Sequence, residues 1–260
     1  MNNEKSIKQH VQEQFGKHAD KYVTSDIHAK GDDLELLVNW LAPENTWHVL
    51  DIATGGGHVA KQLSGHVHHV IATDLTRPML VAAANHLKQS QCDNVTYVVA
   101  DAEQLPFLDH SFDAVTCRIA AHHFPHPHLF LQEAARALKP GGKFVLIDNV
   151  APADAALGHF MNTFEAMRDT SHVRCLSVAE WQSLAEQAGL LVEKYVMNRK
   201  EYIFPTWVMR TASSEAQARN VEHFILDADP TCQEYFDVQV EENRLKSLRI
   251  DEWRALLRKP

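Results

Sequence analysis

The sequence lacks the features that mark secreted, membrane-spanning and nucleic-acid-binding proteins. Its four cysteines form no Cys-x-x-Cys pair and no disulfide framework, which predicts reduced thiols in a cytosol. No apolar run approaches the ~18–20 residues that a membrane span needs, and the N-terminal residues have no signal-peptide core. The formal net charge of −9 argues against the concentrated basic face that nucleic acid requires. We therefore expect a cytoplasmic protein with no membrane span and no nucleic-acid partner.

A closed set of metal ligands is also missing, although the chain contains 17 histidines. Zinc sites combine ligands at suitable spacing, usually with cysteine or carboxylate among them. Neither histidine cluster in the sequence has such a set, so we expect no metal. The clusters are His66, His68 and His69, and His122, His123, His126 and His128.

What the sequence does contain is an alternation of strand and helix patterns between about residues 32 and 200. The hydrophobic content of 45% supplies a core, and the alternation predicts a parallel sheet wrapped by helices. Further strands near 190–197 and 253–258 complete a seven-stranded, doubly wound, mostly parallel α/β sheet. We predict an N-terminal helical cap segment (residues 1–30), a doubly wound core (31–200), a helical lid insertion (201–245) and a final sheet strand (246–260).

The most informative stretch joins a buried strand to a glycine turn and a helix. The apolar strand at residues 49–52 runs into three consecutive glycines at 55–57, which permit backbone angles and close approaches that side chains forbid. The helix that follows directs its free N–H groups at whatever lies on the turn. This arrangement predicts a nucleotide-like ligand.

Two kinds of nucleotide ligand fit such a turn. The pattern Gly-x-Gly-x-x-Ala at 55–60 fits a dinucleotide fingerprint, and Asp74 follows at about the distance of a ribose-binding acid. Asp51, however, puts a carboxylate beside the turn, which suits a cationic ligand better than a pyrophosphate. No Tyr-x-x-x-Lys pair is present, and Asp101 closes the third strand where it can accept a hydrogen bond from an adenine amino group. An NAD-dependent oxidoreductase is therefore the least favoured interpretation.

Further motifs extend this pattern along nearly the whole chain. They are Phe15-Gly16-Lys17-His18-Ala19-Asp20-Lys21-Tyr22, the glycine turn, Asp74, the segment 101–107, Phe112-Asp113-Ala114-Val115-Thr116 and Leu138-Lys139-Pro140-Gly141-Gly142. Together they resemble the class I S-adenosylmethionine-dependent methyltransferases. Within that superfamily the chain is similar to the small-molecule branch (methyltransferase type 11) that includes the ubiquinone/menaquinone biosynthesis C-methyltransferases. One departure is Ala53, because the family's glycine motif usually begins with glycine at this position. Alanine is small, so we expect it to disturb the glycine turn only slightly.

The resemblance implies S-adenosyl-L-methionine as the cofactor and a Rossmann-like core that binds it. Asp51 is expected near the methionine end, Asp74 on both ribose hydroxyls, and Asp101 on the adenine edge. Arg118 is expected near the reactive part of the cofactor. The implied cofactor-binding residues are Asp51, Ala53, Thr54, Gly55, Gly56, Gly57, Asp74, Leu75, Met79, Asp101, Ala102 and Arg118.

A general base is expected next to the methyl group. Methyl transfer from a sulfonium is downhill, so the protein mainly positions the acceptor and excludes water, but a hydroxyl or acidic carbon also benefits from a base. His122 and His123 follow the fourth strand, and Asp148 ends the fifth strand. In the family's sheet the fifth strand lies next to the fourth. We expect one of the histidines, His123 in preference, to be the base and Asp148 to orient it. The alternative is a structural corner before Phe124.

The sequence thus predicts C- or O-methylation of a small-molecule acceptor. A prenylated quinone precursor, a sugar hydroxyl and another natural-product hydroxyl are all open. Tyr22 and the segment 172–174 are expected to cover the ligands, with Arg174 either binding an anionic acceptor or pairing with a surface acid. A non-catalytic, S-adenosylmethionine-binding regulatory protein is the main alternative. Methylation of nucleic acid or protein is disfavoured by the charge and by the absence of an Asn-Pro-Pro-Tyr-type sequence after the fourth strand.

Overall fold

The computed structural model describes residues 7–16 and 31–260, in which helices and strands largely alternate. The strands are β1 (His48–Ile52), β2 (His69–Asp74), β3 (Val95–Val99), β4 (Phe112–Arg118), β5 (Leu138–Asn149), β6 (Leu191–Ile203), β7 (Gln239–Glu241) and β8 (Arg244–Arg258). The helices are α1 (residues 7–16), α2 (Asp32–Leu41), α3 (His58–Ser64), α4 (Arg77–Gln89), α5 (Pro127–Ala137), α6 (Ala155–Arg168), α7 (Val178–Gln187), α8 (Phe204–Val208), α9 (Glu215–Leu226) and α10 (Pro230–Tyr235). A short 3-10 helix, Ala121–His123, lies between β4 and α5.

The strands form one sheet in the order β3-β2-β1-β4-β5-β8-β6, and β7 pairs with β8. β1 to β5 run parallel to one another, whereas β8 runs antiparallel to both β5 and β6. The predicted doubly wound, mostly parallel α/β fold is therefore confirmed. The chain reverses its direction of travel across the sheet between β1 and β4, and a crevice opens at the carboxyl ends of strands at such a point.

The described residues contain one strand more than the seven predicted, the three-residue β7. Glu242 and Asn243 join it to β8 with φ angles of 51° and 60°, as a tight hairpin turn requires. β6 and β8 also start or end farther out than predicted, because their antiparallel ladder continues as far as the pair Ile203–Ser247. This extension projects beyond the parallel strands and supports a second layer of helices.

Three hydrophobic clusters hold the layers together. α2, α3 and α4 pack on one face of the sheet around Leu37 and Val70, and α5 and α7 pack on the other face around Phe130 and Trp181. The third cluster joins α6, α8, α9 and α10 to the first half of β8, and we call these elements the cap. Its buried members include Phe164, Trp207, Val221, Ile225, Phe236, Leu245 and Leu248. Among the residues that the structure describes, no helix has both the length and the apolar character to cross a membrane.

Candidate active site

A cavity of about 1050 Å³, part of it open to solvent, lies at the carboxyl ends of β1, β2 and β4. We call it the first cavity. It brings together all the residues predicted to bind a cofactor except Gly57. Those that line it are Asp51, Ala53, Thr54, Gly55, Gly56, Asp74, Leu75, Met79, Asp101, Ala102 and Arg118.

The loop between β1 and α3 adopts backbone conformations that favour glycine. Gly55 and Gly57 have φ angles of +54° and +81°, and a Cβ on Gly57 would lie 2.3 Å from Leu87 Cδ1. Gly57 therefore packs α3 closely against α4 behind the loop instead of lining the cavity. Ala53 also has a positive φ, 53°, which is a backbone conformation that residues with a Cβ atom rarely adopt.

Asp51 is a buried carboxylate at the end of β1, with 1% of its surface exposed. Thr54 Oγ1 donates to its Oδ2 at 2.6 Å, and Thr116 Oγ1, from the paired residue on β4, donates to its Oδ1 at 2.8 Å. Burial raises the pKa of Asp51 to about 6, although the two hydroxyl groups favour its ionised form. The carboxylate is thus held rigidly at the cavity wall, and its ionised form is unfavourable unless a cation lies next to it.

Asp74 forms a second buried carboxylate at the end of β2. Its Oδ2 accepts the N–H of Gly55 at 3.2 Å, and its Oδ1 accepts the N–H of Thr76 at 2.8 Å. Burial raises its pKa to about 6 as well. Within residues 7–16 and 31–260, neither Asp74 nor Asp51 forms a salt bridge. A cationic ligand with hydroxyl groups fits this donor and acceptor set, since it would compensate both carboxylates.

Helix α1 closes one side of the first cavity; the sequence predicted a helical cap segment within residues 1–30 but gave Lys8 and Gln12 no role. Lys8 Nζ lies 2.6 Å from Asp101 Oδ2 and 2.5 Å from Glu103 Oε2. Gln12 Nε2 donates to the carbonyl of Leu75 at 2.9 Å. No local pattern marks these contacts, because their partners are more than 60 residues away in the sequence.

Arg118 ends β4 and lines the first cavity, as predicted, but it also has a structural partner. Its guanidinium forms a buried ion pair with Asp33 of α2. Both side chains are at least nine-tenths buried, so the pair anchors α2 to the end of β4. The position of Arg118 beside the cavity is therefore fixed by the fold.

The histidine pair departs from the prediction in one respect. Asp148 pairs with His122 and not with His123: His122 Nδ1 donates to Asp148 Oδ1 at 2.6 Å, and the His122 N–H donates to Asp148 Oδ2 at 2.9 Å. His123 Nδ1 instead donates to the carbonyl of Ser171 at 3.0 Å. The expectation that Asp148 orients His123 is wrong, because the 3-10 turn after β4 directs the two rings toward different partners.

The two histidines also differ in their affinity for a proton. Burial opposes protonation of both, but the Asp148 carboxylate raises the pKa of His122 above its ordinary value. Burial and the neighbouring His122 lower the pKa of His123 to about 4. His122 is therefore the stronger base of the pair, and His123 is neutral near pH 7.

A second cavity of about 550 Å³ adjoins the first one. The two cavities share Phe15, Ile119 and His123 in their walls. Of its lining residues, sequence reasoning had singled out the two histidines and, as part of the N-terminal motif, Phe15. The others come from β5, α6, β6, α8 and the segments that follow β4, α6 and α8, and no motif links such distant segments. The lining consists of Phe15, Ile119, His122, His123, Asn149, Arg168, Asp169, Lys200, Tyr202, Trp207, Arg210 and Thr211.

The segment 172–174 supports His122 and lines neither cavity. The N–H groups of Val173 and Arg174 both donate to the carbonyl of His122 at 3.0 Å. The Arg174 side chain pairs with Glu180 on the surface, at 2.5 Å. Tyr22, the other predicted covering residue, lies outside the described residues. In the described part of the chain, no group of three or more His, Cys, Asp or Glu side chains is arranged to hold a metal ion.

Comparison with known proteins agrees with this geometry. The family described as "Methyltransferase domain" matches residues 50–146. The chain is 32% identical to the uncharacterized methyltransferase YcgJ of Bacillus subtilis, over 88% of this chain and 90% of that protein. It is 38% identical to the ubiquinone/menaquinone biosynthesis C-methyltransferase UbiE of Brucella anthropi, over 53% of this chain and 56% of that one. A crystal structure from Bacillus halodurans C-125, provisionally assigned as a methyltransferase, superposes with a TM-score of 0.86 at 39% identity, covering 88% of this chain and all of the other. The chain belongs to the class I S-adenosylmethionine-dependent methyltransferases.

Proposed function

We propose that this enzyme methylates a small-molecule acceptor bound in the second cavity, with His122 as the general base. The observation that carries this proposal is the junction of the two cavities at Phe15, Ile119 and His123, with His122, the partner of Asp148, in the wall of the second cavity next to His123. The similarity to UbiE, which is named as a quinone-biosynthesis C-methyltransferase, supports a small-molecule acceptor.

The first cavity would hold the cofactor. When bound, S-adenosylmethionine supplies an electrophilic methyl group on a positively charged sulfur. Asp51 would face the cationic methionine end, Asp74 the ribose hydroxyls and Asp101 the adenine amino group. The two buried carboxylates without a salt bridge in the described residues support this assignment, because a cation and two hydroxyl donors would compensate them. The apolar side chains of Leu75 and Met79 would pack against the base.

His122 would take the proton that the acceptor loses. Its Nδ1–H is held by Asp148, so its Nε2 carries the basic lone pair, and Asp148 stabilises the imidazolium that forms. His123 is held neutral by burial and forms part of the wall between the cavities, where it helps to exclude water. The cap elements from residues 201–245, together with α1, would cover the acceptor.

The test is transfer of labelled methyl from S-adenosylmethionine into a metabolite extract, followed by separation into organic and aqueous phases. We expect enzyme-dependent label with the wild type and a loss of about a hundredfold or more in His122→Gln. The exposed His128→Ala is the matched control and should keep the wild-type rate. S-adenosylhomocysteine binding, measured by calorimetry, should be similar in all three proteins.

The pH profile separates a base from a structural histidine. A base must be neutral, so the wild-type rate should rise with pH through a value above 6.5, the ordinary value of histidine, and His122→Gln should lack this limb. Turnover by His122→Gln at the wild-type rate with saturating acceptor would show that His122 is not the general base. Absence of label with tight S-adenosylhomocysteine binding would favour the regulatory alternative.

A further inference from the structure

The second cavity is lined by more cations than carboxylates. Arg168, Lys200 and Arg210 face it, against Asp169 alone. This imbalance matters because the rest of the chain is acidic, with a formal charge of −9. A cationic lining in an acidic protein points to an anionic occupant.

Arg168 and Asp169 are both held by contacts within the fold. Arg168 donates to Glu165 Oε2 at 2.8 Å and to Thr211 Oγ1 at 3.0 Å, and its guanidinium lies 4.2 Å from the Trp207 ring centroid. Asp169 Oδ1 accepts both the N–H and the hydroxyl of Ser171, at 2.9 Å and 2.5 Å. Arg168 is thus neutralised by Glu165, and Asp169 is tied to the loop that positions His123.

Lys200, in contrast, forms no side-chain hydrogen bond with any residue that the structure describes. Its Nζ lies 3.8 Å from Glu252 Oε2, which is beyond hydrogen-bond distance. The other oxygen of Glu252 accepts from Arg254 Nε at 2.7 Å, so the charge of this carboxylate is shared between Arg254 and Lys200. Burial lowers the pKa of Lys200, and an anion next to it would reverse that effect. The ammonium group therefore has donor capacity on its cavity side.

Aromatic rings lie between the cations. Lys200 Nζ and Arg210 Cζ both lie 5.9 Å from the ring centroid of Tyr202, and Trp207 forms another part of the wall. The Tyr202 hydroxyl donates to Asn149 Oδ1 at 3.3 Å, which fixes the ring. A ligand with a flat apolar part and one anionic group would satisfy both kinds of surface.

We propose that the methyl acceptor is a small organic anion, with a carboxylate or phosphate group bound by Lys200 and Arg210 and an apolar part packed against Tyr202 and Trp207. The inference rests on the proposed function, because it assigns the acceptor to the second cavity. It adds the charge of the acceptor and the residues that select it. Neutral sugars and neutral quinols would leave the Lys200 ammonium group with only the Glu252 carboxylate, 3.8 Å away and shared with Arg254, among the described residues.

The first test compares matched anionic and neutral probes on the wild-type protein saturated with S-adenosylhomocysteine. Isothermal titration calorimetry with benzoate, phenyl phosphate and benzamide would measure each dissociation constant. We expect at least one anion to bind about tenfold tighter than benzamide, and the preferred anion distinguishes a carboxylate from a phosphate. Equal affinity for all three probes, or binding of none, would overturn the inference.

The second test assigns the discrimination to Lys200. Lys200→Met should lose about tenfold in affinity for the preferred anion and nothing for benzamide, while Lys200→Arg should retain most of it. Lys194→Met, an exposed lysine on the same strand, is the matched control and should bind like the wild type. Retained discrimination in Lys200→Met would contradict the role of Lys200.

The outcomes also separate this inference from the proposed function. Methyl transfer to a neutral acceptor that is lost in His122→Gln and unchanged in Lys200→Met would leave the base in place and reject the anionic acceptor. Conversely, normal turnover in His122→Gln together with tighter binding of an anion than of benzamide would reject His122 as the general base. The same result would support the binding of an anion in the second cavity. S-adenosylhomocysteine affinity reports on the fold and the first cavity in every variant.

Discussion

Two residues with side chains hold left-handed backbone conformations around the first cavity. Ala53 and Ile119 both have φ angles of 53°, and such a conformation costs roughly 1–2 kcal/mol for a residue with a Cβ. Ile119 lies where the two cavities meet, and its N–H donates to the carbonyl of Ile147 at 2.7 Å. Part of the left-handed strain in the described residues therefore lies where the backbone turns away from the strands to form the walls of the site.

Ala53→Gly should stabilise the protein by about 0.5–1 kcal/mol, since relief of the left-handed strain outweighs the extra freedom of glycine in the unfolded chain. Urea denaturation would measure the change. Ala42→Gly is the matched control: Ala42 also has a positive φ, 44°, but lies at the end of α2. Both variants should gain stability and keep the wild-type affinity for S-adenosylhomocysteine. A loss of stability in Ala53→Gly would contradict the claim that the backbone of Ala53 is strained.

Asp51→Asn should stabilise the ligand-free protein at neutral pH and weaken cofactor binding at least tenfold. Because its pKa is raised to about 6, Asp51 ionises at a cost in the folded state, and the wild type loses up to roughly 3 kcal/mol as pH rises from about 4 past 6. Asparagine does not ionise, so the stability difference should be absent near pH 4 and full above pH 6. Thermal unfolding from pH 4.5 to 8 and S-adenosylmethionine titration would measure both effects. A pH-independent difference would contradict the raised pKa.

Local motifs made the first cavity predictable and left the pairing of the histidines unpredictable. Asp51, Asp74 and Asp101 each follow a strand, and parallel strands bring their carboxyl ends to one edge of a sheet. His122 and His123 are adjacent, so the choice between them depends on the rotation of one 3-10 turn, which no periodicity encodes. Lys8, which contacts Asp101, comes from a distant segment of the chain and could not be predicted from a local motif. The same is true of the cations that line the second cavity.

At the scale of elements, α1 links the walls of the two cavities to the Asp101 loop. Lys8 contacts the Asp101 loop, Gln14 Nε2 donates to the carbonyl of Thr211 in the cap at 2.9 Å, and Phe15 packs edge-on against His123 with centroids 4.9 Å apart. The sequence predicted a helical cap within residues 1–30, but not these contacts of α1, because their partners lie far away in the sequence. Helix ends that are set by local signals are easier to predict: at the start of α7, Ser177 is followed three residues later by Glu180, and the two form a capping box.

Lys8→Met should weaken S-adenosylhomocysteine binding by about three- to tenfold, because the anchor between α1 and the Asp101 loop is half-buried and partly screened by water. Calorimetry would measure the dissociation constant, and stopped-flow release would show faster dissociation. Glu13→Gln, at an exposed position of the same helix, should bind normally. Equal affinity in Lys8→Met and the wild type would show that α1 does not retain the cofactor.

At the scale of the whole molecule, the sheet and the cap share two long strands. β6 and β8 pair continuously from Leu191–Arg258, inside the sheet, to Ile203–Ser247, beneath the cap helices. Trp253 belongs to a sheet cluster and Leu248 to the cap cluster, although both lie on β8. Because the same strands cross both clusters, we expect the sheet and cap to unfold together.

Ile225→Ala in the cap core should lower the free energy of unfolding by about 2–5 kcal/mol, since Ile225 is fully buried. Unfolding should remain one transition, with coincident far-ultraviolet circular dichroism and tryptophan fluorescence curves. Ile203→Ala, at a half-exposed position of β6, should change stability much less. Two separate transitions in Ile225→Ala would mean that the cap unfolds independently.

The division of labour along the chain has an evolutionary consequence. The residues around the first cavity lie almost entirely within or before the matched family segment, 50–146, whereas the second cavity draws most of its lining from residues after 148. If the acceptor binds in the second cavity, as we propose, selection can alter the later residues to recruit a new acceptor while the methyl donor stays the same. Relatives that agree closely in the earlier half can diverge in their products, and membership of the family identifies the donor much more securely than the molecule that receives the methyl group.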